Sequence, residues 1–253
     1  MKISAQDFLK APQKSITLLG MSGAGKTYIT SMLDGFGWES YSCDYMIGSK
    51  YLKSELEAVS QSGITAQNIS ALSAFIGKIG DESKGGFAQG MFRDRQQAYY
   101  DAECQAIAQA LIIANRAKGH FVHDSTGSLC EIEDHDLIRK IGERTLFVYL
   151  KTSAEDEKLV LQRAQDYPKP LFFPAAFLEE ALSTYMEEQN LKCVAQITPD
   201  DFARWVFPRL FTARKPKYQY LADSFGVTIP SSAFHGVTVE QDFINIIVQH
   251  LDI

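Results

Sequence analysis

The sequence predicts an α/β fold: a mostly parallel sheet with helices on both faces. Two observations carry this. Short apolar, β-branched runs alternate along the chain with segments whose apolar residues recur at helical spacing, as in a sheet whose parallel strands are joined by helical crossovers. One such junction, residues 15–36, joins strand to helix through Gly20-Met-Ser-Gly-Ala-Gly-Lys-Thr27, a complete G-x-x-x-x-G-K-[ST] loop. Upstream of it Ser15-Ile-Thr-Leu-Leu19 reads as a buried strand, and downstream Ile29, Met32, Leu33 and Phe36 lie at helical spacing before Gly37.

That context gives the loop its chemistry. Gly20, Ser22, Gly23, Ala24 and Gly25 let the backbone wrap a phosphate, and Tyr28 follows on the helix that the loop opens. Successive N–H groups and the helix N-terminus then face negative charge. Lys26 is expected to reach the β- and γ-phosphates, and the Thr27 hydroxyl to ligate Mg²⁺. A nucleoside triphosphate is the expected ligand.

The remaining elements follow in order. Residues 38–43 form a second strand that delivers Asp44 at its carboxyl end. Helices are expected over 51–61, with Leu52, Leu56 and Val59 on the apolar stripe, and over 66–79, with Ile69, Leu72, Phe75, Ile76 and Ile79. The glycine-rich stretch 81–90 reads as a loop, and a long helix runs over 93–118, stopped by Gly119. His120-Phe-Val-His123 is a strand that opens into Asp124-Ser-Thr-Gly-Ser128. A helix over 130–141 leads to the strand Thr145–Leu150, and Thr152 or Ser153 caps the helix after it. Prolines 168, 170 and 174 force an irregular segment. Helices over 175–190 and 199–213, a strand at 227–229 and a helix from Thr238 complete the chain. Ligands of such sheets bind beyond the carboxyl ends of the strands, where Gly20–Thr27, Asp44 and 124–128 fall.

Composition narrows the possibilities. The 253 residues are 45% hydrophobic and 22% charged, as expected of a globular protein, and the length suits one domain with insertions. A net charge of −6 with no basic run leaves no electrostatic footprint for nucleic acid. The start, Met1 to Asp7, lacks the apolar core of a signal peptide, and no apolar run reaches membrane-spanning length. Cysteines 43, 104, 130 and 193 are scattered without metal spacing, which suits a reducing compartment. A cytoplasmic location is expected, with neither nucleic acid nor membrane as partner.

Six segments, in order, resemble the shikimate kinase branch of P-loop small-molecule kinases: GMSGAGKT at 20–27, CDYMI at 43–47, FRDRQ at 92–96, DSTGS at 124–128, VYLKTS at 148–153, and KPLF at 169–172 with RKPKYQYLAD at 214–223. The resemblance implies a three-layer P-loop α/β/α domain spanning the chain, with a lid. It also implies ATP and Mg²⁺ as cofactors and a small, anionic, hydroxyl-bearing metabolite as acceptor. Asp44 matches the carboxylate that grips the acceptor hydroxyl and accepts its proton. Arg93 and Arg214 match substrate-binding arginines, and paired guanidinium groups suit a carboxylate. Lys169 stands where the family lid has an arginine that closes over the transferring group. Arg163 matches a position that packs on the adenine.

The departures fall around the metal and the acceptor. Ser42 replaces the family's first Asp of D-x-D, Gln96 replaces a Glu that orients the arginine, and Asp124-Ser-Thr-Gly replaces a glycine triplet that touches substrate. Thr126 and Gly127 are therefore acceptor-side candidates. Asp124 is a candidate Walker-B carboxylate for the metal beside Thr27. Helical insertions at about 48–90 and 175–207 point to an acceptor other than shikimate. His120 and His123 read as structural, with no third ligand spaced for zinc. A P-loop ATPase or switch with a protein partner, a binding-only relative, and a nucleotide or nucleoside kinase stand as alternatives, and the sequence does not fix the oligomeric state.

Overall fold

The computed structural model describes residues 3–59 and 69–251. Its order is α1 (Ala5–Lys10), β1 (Ser15–Leu19), α2 (Lys26–Gly35), β2 (Glu39–Ser42), α3 (Cys43–Met46), a π-helical turn (Ile47–Tyr51), α4 (Lys53–Val59), α5 (Ile69–Ile76) and α6 (Gln89–Arg116). There follow β3 (Phe121–Asp124), α7 (His135–Arg144), β4 (Leu146–Lys151), α8 (Ala154–Asp166), α9 (Ala175–Glu188), α10 (Pro199–Phe225), β5 (Gly226–Pro230) and α11 (Glu240–Leu251). Among the described residues the strands pair in parallel, in the order β2-β3-β1-β4-β5. The fold is a three-layer α/β/α sandwich.

The chain divides into two compact units. The first comprises Met1–Asp44, Glu103–Glu157 and Arg214–Ile253. It holds the sheet, and strand alternation sorts its core. Ile16, Leu18, Val122, Val148, Leu150 and Ile229 pack with Phe8, Ile29, Leu33, Phe243 and Ile247 from α1, α2 and α11. The intervening positions carry rings: Phe147 meets Phe225 edge-on at 5.5 Å, and Tyr149 stacks on Tyr218 at 5.3 Å. Those partners lie on α10, so helices cover both faces.

The second unit comprises Tyr45–Ala102 and Lys158–Ala213 and contains both stretches read as insertions. Its core gathers Ile79, Phe92, Phe173, Leu182, Phe202 and Leu210. Gln96 fixes the proline-rich segment there: its Nε2 donates to the Leu171 carbonyl at 3.1 Å, and its Oε1 accepts from the Phe173 N–H at 2.8 Å. An ionised glutamate, acceptor only, could not make the first bond.

Several boundaries depart from the sequence expectation. The helix expected from 130 begins at His135, where Asp134 caps it by accepting from the Leu137 N–H, and residues 129–131 form a 3₁₀ turn instead. The helix expected to stop at 213 continues to Phe225 through Pro208 and Pro216. Pro208 has no N–H for the Arg204 carbonyl, and Gln165 Nε2 donates to that carbonyl at 3.0 Å instead. α1 carries no apolar period long enough to announce it. Parts of the helices expected at 51–61 and 66–79 lie outside the described residues, as do the side chains of Val59 and Ile69.

Candidate active site

The sheet order positions the site. β1 is central, flanked by β3 and β4, and the register sets Leu18 and Ser42 beside Asp124. The carboxyl ends of β1, β2 and β3 therefore converge on the glycine loop, Asp44 and Asp124, all in the first unit. Within the loop Gly23 and Gly25 have φ of 88° and 94°, a left-handed backbone that glycine adopts at little cost, and Gly25 is the N-cap of α2. The loop opening a helix after the central strand of a parallel sheet settles the fold. This is a P-loop fold.

The P-loop side chains make hydrogen bonds within the protein. Lys26 is buried, and its ammonium donates to the carbonyls of Gly20 at 2.8 Å and Met21 at 3.3 Å. Burial lowers its pKa, and the negative charges of Asp124 and Asp44 oppose the shift. Thr27 Oγ1 donates to Asp124 Oδ2 at 2.9 Å, which pairs the two groups the sequence assigns to the metal. Asp124 is buried, and desolvation raises its pKa against the pull of Lys26 and the Thr27 bond. Asp44 is pushed up to about 6 by desolvation, lowered by Lys26 and raised by Asp124. A carboxyl of that value beside a P-loop is matched to proton transfer near neutral pH.

A hydroxyl and a carboxylate are hard oxygen donors suited to Mg²⁺, which usually keeps several waters and phosphate oxygens as ligands. The described residues contain no cluster of three or more His, Cys, Asp or Glu able to hold a metal by themselves.

Two buried glutamates that sequence reading passed over hold the turn after β3. Glu103, on α6 and fully buried, accepts from Ser128 Oγ at 2.9 Å and from the Thr126 hydroxyl. Glu131 accepts from Arg214 Nε at 3.1 Å and from Lys217. Arg214 Nη1 also donates to the Gly127 carbonyl at 3.1 Å, and the Tyr218 hydroxyl donates to the same oxygen. Thr126 and Arg214, both read as acceptor-side groups, thus have protein partners. Glu103 sits at an apolar-period position with no motif around it, so only tertiary structure reveals its partners.

The other candidates lie in the second unit. Arg93 makes a two-point ion pair with Glu179, at 3.0 and 2.6 Å, with both side chains about half exposed. Lys169 is exposed, beside a small cavity lined by Phe92, Phe173 and Phe202. Arg163 is exposed on α8, and Tyr28, in the first unit, is exposed on α2. His123 is buried with Nδ1 3.1 Å from Thr17 Oγ1 and Nε2 3.0 Å from Cys43 Sγ, and burial lowers its pKa to about 3. It is a neutral structural histidine.

No family model matches the chain, and no curated protein matches it. Among solved structures it is similar to a shikimate kinase from Acinetobacter baumannii in complex with shikimate, at 18% identity over 97% of this chain and 95% of that one, TM-score 0.45. It is also similar to a shikimate kinase from Bacteroides thetaiotaomicron, at 12% identity over 93% and 94% of the two chains, TM-score 0.45. A gluconokinase from Sinorhizobium meliloti 1021 aligns at 17% identity over 80% of this chain and 95% of its own, TM-score 0.31. No described helix is long and apolar enough to cross a membrane.

Proposed function

We propose that the protein is an ATP- and Mg²⁺-dependent kinase that phosphorylates a hydroxyl of a small metabolite. The observation that supports this best is the joint placement of Lys26, the Thr27–Asp124 pair and the elevated Asp44 at one end of the sheet. Metal bound with the nucleotide supplies charge neutralisation on the β- and γ-phosphates. The chain does the rest. The loop N–H groups and Lys26 stabilise charge on the phosphates, Lys26 exchanging the Gly20 and Met21 carbonyls for phosphate oxygen. Thr27 and Asp124 orient the metal side. Asp44 aligns the acceptor hydroxyl and takes its proton as the new O–P bond forms and the bond to the leaving diphosphate breaks.

The acceptor's anionic end is assigned to arginine. Displacing Glu179 from Arg93 costs little, because exposed pairs are worth up to about 1 kcal/mol. Displacing Glu131 from Arg214 would break a buried ion pair, so Arg93 suits the substrate role better. From the resemblance, Lys169 is assigned to the lid and Arg163 to the adenine.

The test is an acceptor screen of hydroxy acids, sugars, polyols and nucleosides with ATP and Mg²⁺, reading ADP release. One chemical class should accelerate release at least about tenfold and appear as its phosphate ester. ADP release that no metabolite changes, with a protein partner captured only in the nucleotide-bound state, overturns the reading in favour of a switch. Tight ATP binding with no turnover points to a binding-only protein.

A further inference from the structure

The turn after β3 is held from two sides. On one, the fully buried Glu103 carboxylate takes both hydroxyls of the turn: Thr126 Oγ1 reaches Oε1, and Ser128 Oγ lies 2.9 Å from each oxygen. On the other, Arg214 and Tyr218 both donate to the carbonyl of Gly127, the residue between those hydroxyls. The turn also presses on the P-loop, since a Cβ added at Gly127 would lie 3.3 Å from the Ser22 nitrogen. Two residues upstream of Thr126 is Asp124, whose carboxylate receives the Thr27 hydroxyl.

We propose that Glu103 is a positioning residue: its ionised carboxylate clasps Thr126 and Ser128 and so sets Asp124 against Thr27 for the metal-bound nucleotide. An ionised carboxylate accepts from both hydroxyls at once, whereas a protonated one must direct its own proton at one of them. Desolvation pushes Glu103 up to about 7, the hydroxyl bonds lower it, Asp44 raises it and Arg214 lowers it. Asp44 and Arg214 are the charged groups facing it, with the Cys43 thiol close by. The clasp therefore tightens as pH rises through neutrality. It rests on the reading of Thr27 and Asp124 as the metal side of the site, not on any acceptor.

The test is equilibrium binding of a non-hydrolysable ATP analogue to the full chain, with Mg²⁺ or with EDTA, between pH 6 and 8.5. The wild type should bind the Mg²⁺ complex more tightly as pH rises through about 7, and Glu103→Gln should bind it about five- to tenfold more weakly with that inflection gone. With EDTA the two should differ less than about twofold, a split that general loosening of the fold would not produce. Thr126→Val with Ser128→Ala should reproduce the loss and add nothing to Glu103→Gln, and this pair decides the matter if Glu103→Gln fails to fold. Wild-type Mg²⁺ dependence and pH profile in both variants overturn the proposal. Failure of the kinase reading would appear separately, as an acceptor screen without turnover.

Discussion

Lys26, Asp44 and Glu131 are three buried or half-buried charges with different fates on substitution. Lys26→Ala removes the cation that the loop carbonyls hold in place, and turnover should fall at least about a hundredfold, measured as ADP release under saturating nucleotide. Asp44→Asn keeps the shape but not the proton acceptor. Its rate should drop about 10²- to 10⁴-fold with analogue affinity unchanged, and the acid limb near pH 6 should vanish from the rate profile. Glu131→Gln removes the buried carboxylate charge to which Arg214 and Lys217 both donate, which should cost about 3–5 kcal/mol in denaturant unfolding whether or not the protein is an enzyme. The sequence singled out the first two as candidates because they belong to local patterns: a glycine loop, and a carboxylate just past a strand, which the structure places on α3. It was silent on Glu131 and Glu103, whose partners are 83 and 23 residues away and share no motif with them.

At the scale of elements, period and punctuation made most of the sheet legible, since β1, β3, β4 and β5 are short, largely apolar runs, whereas β2 is polar at Glu39, Ser40 and Ser42. What local rules misjudged was where helices stop. Pro208 should end a helix, yet α10 passes through it because Gln165, 39 residues upstream of Arg204, takes over the orphaned carbonyl. Nor does local sequence show why the β4–β5 junction needs glycine. A Cβ at Gly226 would lie 1.7 Å from the Phe147 carbonyl oxygen and 2.5 Å from its carbon, both backbone atoms that no rotamer change can move. Gly226→Ala should therefore force β5 off β4 at that register and cost at least about 2–3 kcal/mol. The check is thermal melting with amide exchange: Phe147 and its β4 neighbours should lose protection first, while α2 and β1 keep theirs.

The whole molecule carries an unusual proton balance, with opposed contributions that separate by pH. Glu103 and Asp44 rise from ordinary values of 4.5 and 3.8 to about 7 and about 6, and Asp124 is also raised, so for these groups the folded state holds protons the unfolded chain has released. Their stabilising contribution is full below the ordinary carboxyl values and is lost as pH climbs through the folded ones. His123 acts the other way. Lowered from 6.5 to about 3, it binds protons mainly when unfolded, so it costs stability as pH falls below 6.5. Between about pH 4.5 and 6 the histidine's gain offsets the loss from one carboxyl but not from both Glu103 and Asp44, whose full shifts are each worth on the order of 3 kcal/mol. Above about pH 7 these contributions are gone. From these groups the ligand-free protein should therefore melt at its highest temperature at the acid end of the range, at falling temperatures up to about pH 7, and level off above it. The Mg²⁺–analogue complex should oppose that decline, because a ligand at 100 times its Kd adds about 2.7 kcal/mol to the native state. It binds the ionised carboxyls better, so its increment should grow with pH. Scanning calorimetry from pH 5 to 8.5, with and without the analogue, checks both slopes. An increment that shrinks as pH rises would mean that these carboxyls do not face the metal-bound nucleotide.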